Sequence, residues 1–406
     1  MRRIGIVGAG HSGLQLGLGL LQAGHEVILL SNQRPEQIRD ARVTSSQCMF
    51  ATAIAHEHAS GIDFWAGECP PIEEVQLAIA APDNTRALQW SARLDGAAMS
   101  VDQRLKMPRW LSEFERRGGE VRFQSADITV LEALSRECEL VVVAAGKGEI
   151  AGLFERDAAR SPFTKPMRAL ALAYVQGLEP RARCAAVCFN IIPGVGEYFV
   201  FPALTTSGPC EIMVFEGIVG GPMDCWSDVR SPEHHLEVGC GVLKQFVPWE
   251  HERTRQVSLT DANAVLAGRF APVVRKPLAR LPSGRALLGM ADVVCLNDPI
   301  TGQGSNNASK CATVYLQEIL ANDGRPFDPQ WMTATFEKYW ENARYVTEWT
   351  NSMLLPPPPH VMGLLAAAAA KPSVARWFAN AFDDPRRFYP PFADPAAAQR
   401  LIESAV

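Results

Sequence analysis

No uninterrupted apolar run reaches the roughly eighteen residues that a helical membrane span requires, although 47% of the 406 residues are apolar. An excess of one charge is also lacking. The 39 Lys and Arg against 44 Asp and Glu leave a net charge of -5, so there is no basic footprint for a nucleic-acid partner. Charge runs are short and mixed, as in Glu113 to Arg117, which is the pattern of a solvated helix face. The ten cysteines contain no Cys-x-x-Cys pair. The closest two, Cys184 and Cys188, have no neighbouring His or Cys to complete a zinc set, so no metal is expected and the thiols read as buried groups in a reducing cytoplasm. Met1-Arg2-Arg3 before an apolar stretch resembles a secretory leader, but a glycine fingerprint, His11 and His25 break that pattern. The composition is that of a soluble cytoplasmic chain long enough for a large core and two intimately joined domains.

What the sequence does have is concentrated at its start. Ile4, Ile6 and Val7 form a short apolar strand, and Gly8, Gly10 and Gly13 then follow at GxGxxG spacing. A helical pattern runs through Leu14, Leu16, Leu18 and Leu21, and His25 to Leu30 is a second strand. Strand, turn, helix and strand in register are the context a dinucleotide fingerprint requires, with His11 and Ser12 at the helix start. Pyrophosphate would rest on the helix N-terminus, where free N–H groups favour negative charge. The acid that usually ends the second strand is missing: Ser31, Asn32, Gln33 and Arg34 stand there instead. Asn32 could bond a ribose and Arg34 could meet a phosphate or stack on adenine, so this stretch alone admits NAD, NADP or FAD.

Further along, Arg42 to Met49 reads as an extended segment in which Ser45, Gln47 and Met49 share a face, because strand side chains alternate with period two. A surface strand with one buried Met fits the same pattern. Val75, Leu77 and Ile79 alternate, and Leu88 to Leu94 offers another strand. Ser100 or Asp102 caps a helix that contains Pro108 and runs to about Arg117, where Gly118 and Gly119 end it. Glu120 to Gln124 is a strand, Val130 to Arg136 a short helix, and Leu140 to Val143 a buried parallel strand ending on Ala144, Ala145 and Gly146, beside the fingerprint. From Arg168 to Ile218, strand-like segments follow one another with turn signals between them, which predicts a mostly antiparallel inserted sheet. His234 to Phe246 and Thr260 to Leu266 read as helices, with His234 and His235 a solvent-facing pair rather than a ligand pair.

Arg285 to Asp292 is a strand ending in an acid, followed by Pro299, Gly302, Gln303, Gly304, Ser305 and Asn306 and then a helix to about Leu320. A second Gly-x-Gly at a helix N-terminus is another nest for an anion or a polar ring. From Asp328 the chain is helical and aromatic, and Pro356 to Pro359 acts as a rigid spacer. The expected fold is α/β: a Rossmann-like nucleotide domain (1–165 and 270–330, including part of a pocket wall), an inserted antiparallel substrate sheet with helices (166–269) and a helical C-terminal region (331–406).

This combination resembles flavoprotein monooxygenases built on the para-hydroxybenzoate hydroxylase fold. In that class Asp292 would meet the ribityl chain, and Pro299, Gly302, Gln303 and Gly304 would receive the isoalloxazine ring. Ala291 stands where the class usually has Gly. The chain is more closely similar to the styrene and indole monooxygenases, through RIGIVGAG at Arg3 to Gly10, VDxRL at Val101 to Leu105 and ERRGG at Glu115 to Gly119. LVVVAAGK at Leu140 to Lys147, SPFTKPMRAL at Ser161 to Leu170 and NDPITGQGSNNAS at Asn297 to Ser309 complete the match. Ser45, Gln47 and Met49 look like the indole-type pattern, and Ile72, Val75 and Ala98 agree with it.

The resemblance implies an FAD-dependent oxygenase component that takes reduced FAD from a separate NADH-dependent flavin reductase. With O₂ it would form a C4a-hydroperoxyflavin and epoxidise indole towards indoxyl and indigo, with styrene-like alkenes and aryl sulfides as further substrates. No acid–base residue is required by that chemistry. It implies pocket residues Ser45, Gln47, Met49, Ile72, Val75, Ala98 and Pro299, and an FAD site of Gly8, Gly10, His11, Ser12, Gly13, Asn32, Arg34, Arg42, Ala145, Gly146, Asp292, Pro299, Gly302, Gln303, Gly304, Ser305 and Asn306. A homodimer is compatible with it. Competing readings are a single-component NAD(P)H-dependent FAD aromatic hydroxylase and a non-catalytic nucleotide-binding protein. A flavin-dependent halogenase is disfavoured because no Trp-x-Trp occurs among the nine tryptophans.

Overall fold

The computed structural model describes residues 1–146, 149–181 and 185–405, so Lys147, Cys184 and Val406 lie outside the described residues. The opening fingerprint builds the centre of a six-stranded sheet. Its strands are β1 (Arg3–Val7), β2 (Glu26–Ser31), β5 (Glu120–Phe123), β6 (Leu140–Val143), β14 (Leu278–Arg280) and β15 (Ala286–Gly289), in the order β14-β15-β6-β1-β2-β5. All neighbours are parallel except β14 against β15. The apolar run of β6 is explained by burial on both faces, with Val142 and Val143 at 0% exposure. Chain order reverses about β1, and the crevice at the carboxyl ends of β1 and β6 is where such sheets take ligands.

A second, eight-stranded sheet is made by β3 (Ile72–Ala80), β4 (Arg86–Ala98), β7 (Arg168–Gln176), β8 (Ala186–Ile192), β9 (Gly196–Thr205), β10 (Gly208–Ile218), β11 (Ser258–Leu259) and β12 (Val265–Gly268), in the order β11-β7-β10-β9-β8-β3-β4 with β12 also on β7. Its pairings are antiparallel except β3 with β8. A two-stranded ladder joins β13 (Val273–Val274) to β16 (Cys295–Leu296).

Alternation along β10 separates the faces of the larger sheet: Ile212 and Val214 belong to the core shared with the C-terminal helices, and Met213 and Phe215 to the core that also holds Val242 and Leu243 of the helix Pro232–Phe246. The helices Pro329–Met353, Pro359–Ala370, Pro372–Ala381 and Pro395–Ser404 close the inner face with Trp349 and Phe378, joined by Phe382 and Phe388 from the connection between the last two helices.

Three local expectations are corrected. Thr260 to Leu266 is not a helix: Asp261 accepts the Asn263 N–H at 2.8 Å in a turn, and β12 then pairs with β7. Asp and Asn bonding their own backbone favour turns over helix, and the sheet edge supplied the remaining partners. His234 and His235 are not both solvent-facing, because His235 is 3% exposed and packs on Trp226 with ring centroids 4.7 Å apart. The β15 strand also stops at Gly289, and Asp292 lies in a 3-10 turn, Ala291–Val293. Nine free cysteines are described, seven of them buried. No described helix is long and apolar enough to cross a membrane, and no described His, Cys, Asp and Glu cluster could hold a metal.

Candidate active site

Glycine chemistry shapes the first half of the site. Gly8 has φ +114°, and a Cβ there would stand 2.9 Å from the Ala145 nitrogen. A Cβ on Gly13 would lie 2.1 Å from the Gly8 carbonyl oxygen, so the helix His11–Gln22 can begin against β1 only with Gly at that position. A Cβ on Gly10 would meet nothing within 4 Å. Gly10 caps the helix with no side-chain bond and no acid in the first turn, leaving the first N–H groups for an anion.

Gly146 continues this floor, since a Cβ there would be 2.7 Å from the Asp292 Cβ. The fingerprint, the end of β6 and the 3-10 turn after β15 are thereby in mutual contact. Ala291 holds φ +50°, a left-handed conformation that favours glycine and strains any residue with a Cβ.

Asn32, Arg34 and Arg42 are exposed. The Arg34 guanidinium lies 4.6 Å from the Phe123 ring centroid, so its stacking partner here is a protein aromatic.

The second half is the turn Pro299–Thr301, where Gly302 takes φ +64° and the helix Gly304–Leu320 starts. Open space surrounds the Cβ positions of Gly302 and Gly304. Gln303 is 1% exposed, donates to the Phe382 carbonyl at 2.9 Å and keeps an unpartnered Oε1. The Asn306 side chain accepts the Phe50 N–H at 2.9 Å and donates to the carbonyls of Cys48 at 2.8 Å and Gly302 at 3.2 Å, stitching the segment after β2 to this turn.

Between the two halves run Ser45, Gln47 and Met49. Only Met49 forms a bridge, with Met99, yet alternation persists: the Gln103 amide donates to Ser45 Oγ at 3.0 Å and the Lys106 ammonium to Met49 Sδ at 3.4 Å, one turn apart on the helix Gln103–Arg116. Ser45 Oγ donates to Gln47 Oε1 at 2.8 Å, and the Gln47 amide to the Tyr174 hydroxyl at 3.0 Å. That hydroxyl donates in turn to the Ser45 carbonyl at 2.8 Å. Ile72, Val75 and Ala98 are each 0% exposed, Ile72 pairs with Ala98 across β3 and β4, and the three share a core with Cys48, Phe50, Tyr174 and Ile300. A separate cavity of about 570 Å³, beside β3, β4 and β8, includes none of these residues.

Sequence reasoning missed several side chains. Tyr174 was hidden inside an apolar strand. Lys106 and Glu57 form a buried pair at 2.7 and 2.9 Å, with His11 Nε2 at 3.4 Å from the same carboxylate. Burial pushes the Glu57 carboxyl up, against the lowering effect of Lys106, and pushes His11 well below its ordinary range. Arg168, Glu197 and Glu216 were also passed over, though a charge at the start of the apolar β7 and charges within β9 and β10 were usable signals.

The open space at Gly10, Gly302 and Gly304, and the unpartnered Gln303 Oε1, fit a dinucleotide whose adenosine end rests on the fingerprint and whose ring meets the later turn, which is the shape of FAD. Residues 146–253 match the family described as "Styrene monooxygenase A putative substrate binding domain". The chain is 29% identical over 405 residues to styrene monooxygenase StyA of Pseudomonas fluorescens, covering 97% of this chain and 96% of that protein. The fold is similar to that of the flavin-dependent brominase Bmp2, at 13% identity and TM-score 0.64, with 99% and 98% of the two chains covered. It is also similar to PqsL, a probable FAD-dependent monooxygenase from Pseudomonas aeruginosa, at 14% identity and TM-score 0.59, with 97% and 100% covered. With the fingerprint, the glycine turn and the inserted sheet in one chain, and a curated relative similar along almost its full length, the chain is a flavoprotein monooxygenase with FAD as its cofactor, similar to the styrene monooxygenases.

Proposed function

We propose that this protein is the oxygenase component of a two-component cytoplasmic system that epoxidises indole, taking reduced FAD from a separate NADH-dependent reductase. The observation that carries the reading is the pairing of an aliphatic wall, Ile72, Val75 and Ala98, with the buried Gln47 amide held between Ser45 and Tyr174. Gln47 Oε1 accepts one bond from Ser45, and an amide oxygen has a second lone pair. That lone pair suits an indole N–H, whereas styrene has no donor to offer it.

Bound reduced FAD supplies the oxygen chemistry, by which one atom of O₂ goes to the C2=C3 bond of indole and the other leaves as water. The chain's contribution is placement. Ser45 and Tyr174 keep the Gln47 amide in one orientation, the wall would hold the substrate ring and exclude water, and the Pro299–Gly304 turn would hold the flavin ring. Asn306 ties the pocket segment to that turn, so substrate and cofactor are aligned by one brace. No side-chain nucleophile is needed.

The test is turnover of indole and styrene in parallel, with and without an added flavin reductase. Indigo formation with slow styrene oxidation, dependent on the reductase, is expected. Styrene epoxidised as fast as indole would overturn the substrate assignment. Turnover with NADH and FAD alone would instead identify a single-component hydroxylase.

A further inference from the structure

Behind the ring-binding turn, the inner face of the larger sheet carries charge among apolar neighbours. Arg168 on β7, Glu197 on β9 and Glu216 on β10 are buried, Glu197 and Glu216 are direct cross-strand partners, and Asp298 reaches them from the position before Pro299. Arg168 is fully engaged. It forks Glu197 through Nε at 2.8 Å and Nη2 at 3.0 Å, and donates to the carbonyls of Met167 at 3.2 Å, Leu354 at 3.3 Å and Met353 at 3.4 Å. A guanidinium has five N–H groups, so none remains for a second acid.

Glu216 is 0% exposed and neither of its carboxyl oxygens has a donor. Asp298 is 2% exposed; its Oδ1 accepts the Ile300 N–H at 3.1 Å, and its Oδ2 has no donor either. The two carboxyls lie within hydrogen-bond reach of each other. If both were ionised, they would repel in a low-dielectric interior and leave three orphaned oxygens. A single shared proton removes the repulsion and satisfies the facing atoms.

We propose that Glu216 carries a proton and donates it in a hydrogen bond to Asp298 Oδ2, and that this carboxyl–carboxylate pair is the positioning element that sets the Pro299–Gly304 turn for FAD. With Oδ2 held from behind, Oδ1 stays on the Ile300 N–H, and the turn that leads into Gly302 and the helix start keeps its shape. Burial first, then the nearness of Asp298 and Glu197, push Glu216 well above the usual carboxylate range, with Arg168 opposing. Among the described residues, the charged groups that act most on Glu216 are Asp298 from the turn, Glu197 from β9 and Arg168 from β7. Because the FAD-competent turn contains the proton, cofactor affinity is full below the folded-state pKa of Glu216 and falls as pH rises through it. This holds whichever aromatic substrate the enzyme takes.

The experiment titrates oxidised FAD into the full-length protein by flavin fluorescence, from neutral to alkaline pH, with Glu216→Gln and Glu216→Ala beside the wild type. Glu216→Gln keeps an N–H donor for Asp298, so it should bind FAD within about threefold of wild type at neutral pH and lose the alkaline decline; Glu216→Ala should bind about tenfold more weakly. Infrared spectra of wild type and Glu216→Gln read the proton directly, and the glutamine variant should lack one protonated-carboxyl C=O band. The infrared and pH readouts stand even if the alanine variant does not fold. An unchanged carboxyl spectrum, or an alkaline decline that persists in Glu216→Gln, would overturn the proposal.

Discussion

The Gln47 amide donates to the Tyr174 hydroxyl at 3.0 Å, although the two residues are 127 positions apart. The hydroxyl passes the chain on to the Ser45 carbonyl, so the pocket segment hangs from a strand of the larger sheet by one oxygen atom. Burial pushes that phenol well above its ordinary range, and it stays a neutral donor at any working pH.

Tyr174→Phe removes that atom without changing the packing of the ring. Gln47 then loses its anchor, and we expect a loss of about 1–2 kcal/mol of stability by urea unfolding. The KM for indole should rise severalfold while FAD affinity is unchanged. An unaltered KM would show that the Gln47 orientation does not matter to substrate.

Gly10 and Gly13 separate binding from folding. Gly10→Ala meets only open space, so circular dichroism should be that of wild type while FAD binds about tenfold or more weakly, a loss of about 1.4 kcal/mol or greater. Gly13→Ala drives a methyl into the Gly8 carbonyl and should fail to fold normally. Wild-type FAD affinity in Gly10→Ala would place the pyrophosphate elsewhere.

Lys106→Met leaves the Glu57 carboxylate, 2% exposed, without its ammonium. Breaking one side of a buried pair costs about 3–5 kcal/mol. Adding Glu57→Gln should restore part of that loss in urea unfolding, because the uncompensated charge is gone. A double variant no more stable than the single would refute the account.

His235 gives a pH prediction. Burial pushes it down to about 4, below its ordinary value of 6.5, so the folded protein holds it neutral where the unfolded chain protonates it. Its contribution is complete above 6.5 and is lost as pH falls from 6.5 towards 4. His11, lowered in the same direction, adds to that slope. Urea midpoints measured across this window should fall in the wild type, and His235→Phe, which keeps a ring on Trp226, should fall less steeply by about one proton. Equal slopes would count against a neutral buried His235.

The sequence by itself determined what consecutive residues encode. The steric needs of Gly8, Gly13 and Gly302, the helix starts behind them, the buried run of β6 and the strands from Arg168 to Ile218 all follow from local rules of turn, period and Cβ contact. Those features, with the motifs quoted above, led to FAD and to the resemblance to the styrene monooxygenases. Only the tertiary structure decided which side chains meet across distance: Tyr174 with Gln47, Lys106 with Glu57, Glu216 with Asp298. It also turned Thr260 to Leu266 into a turn and an edge strand, because β7 offered backbone partners that no local pattern records. A polar residue inside an apolar strand announces that a partner exists. Which residue answers depends on register and sheet order, and these are set by burial of the whole core.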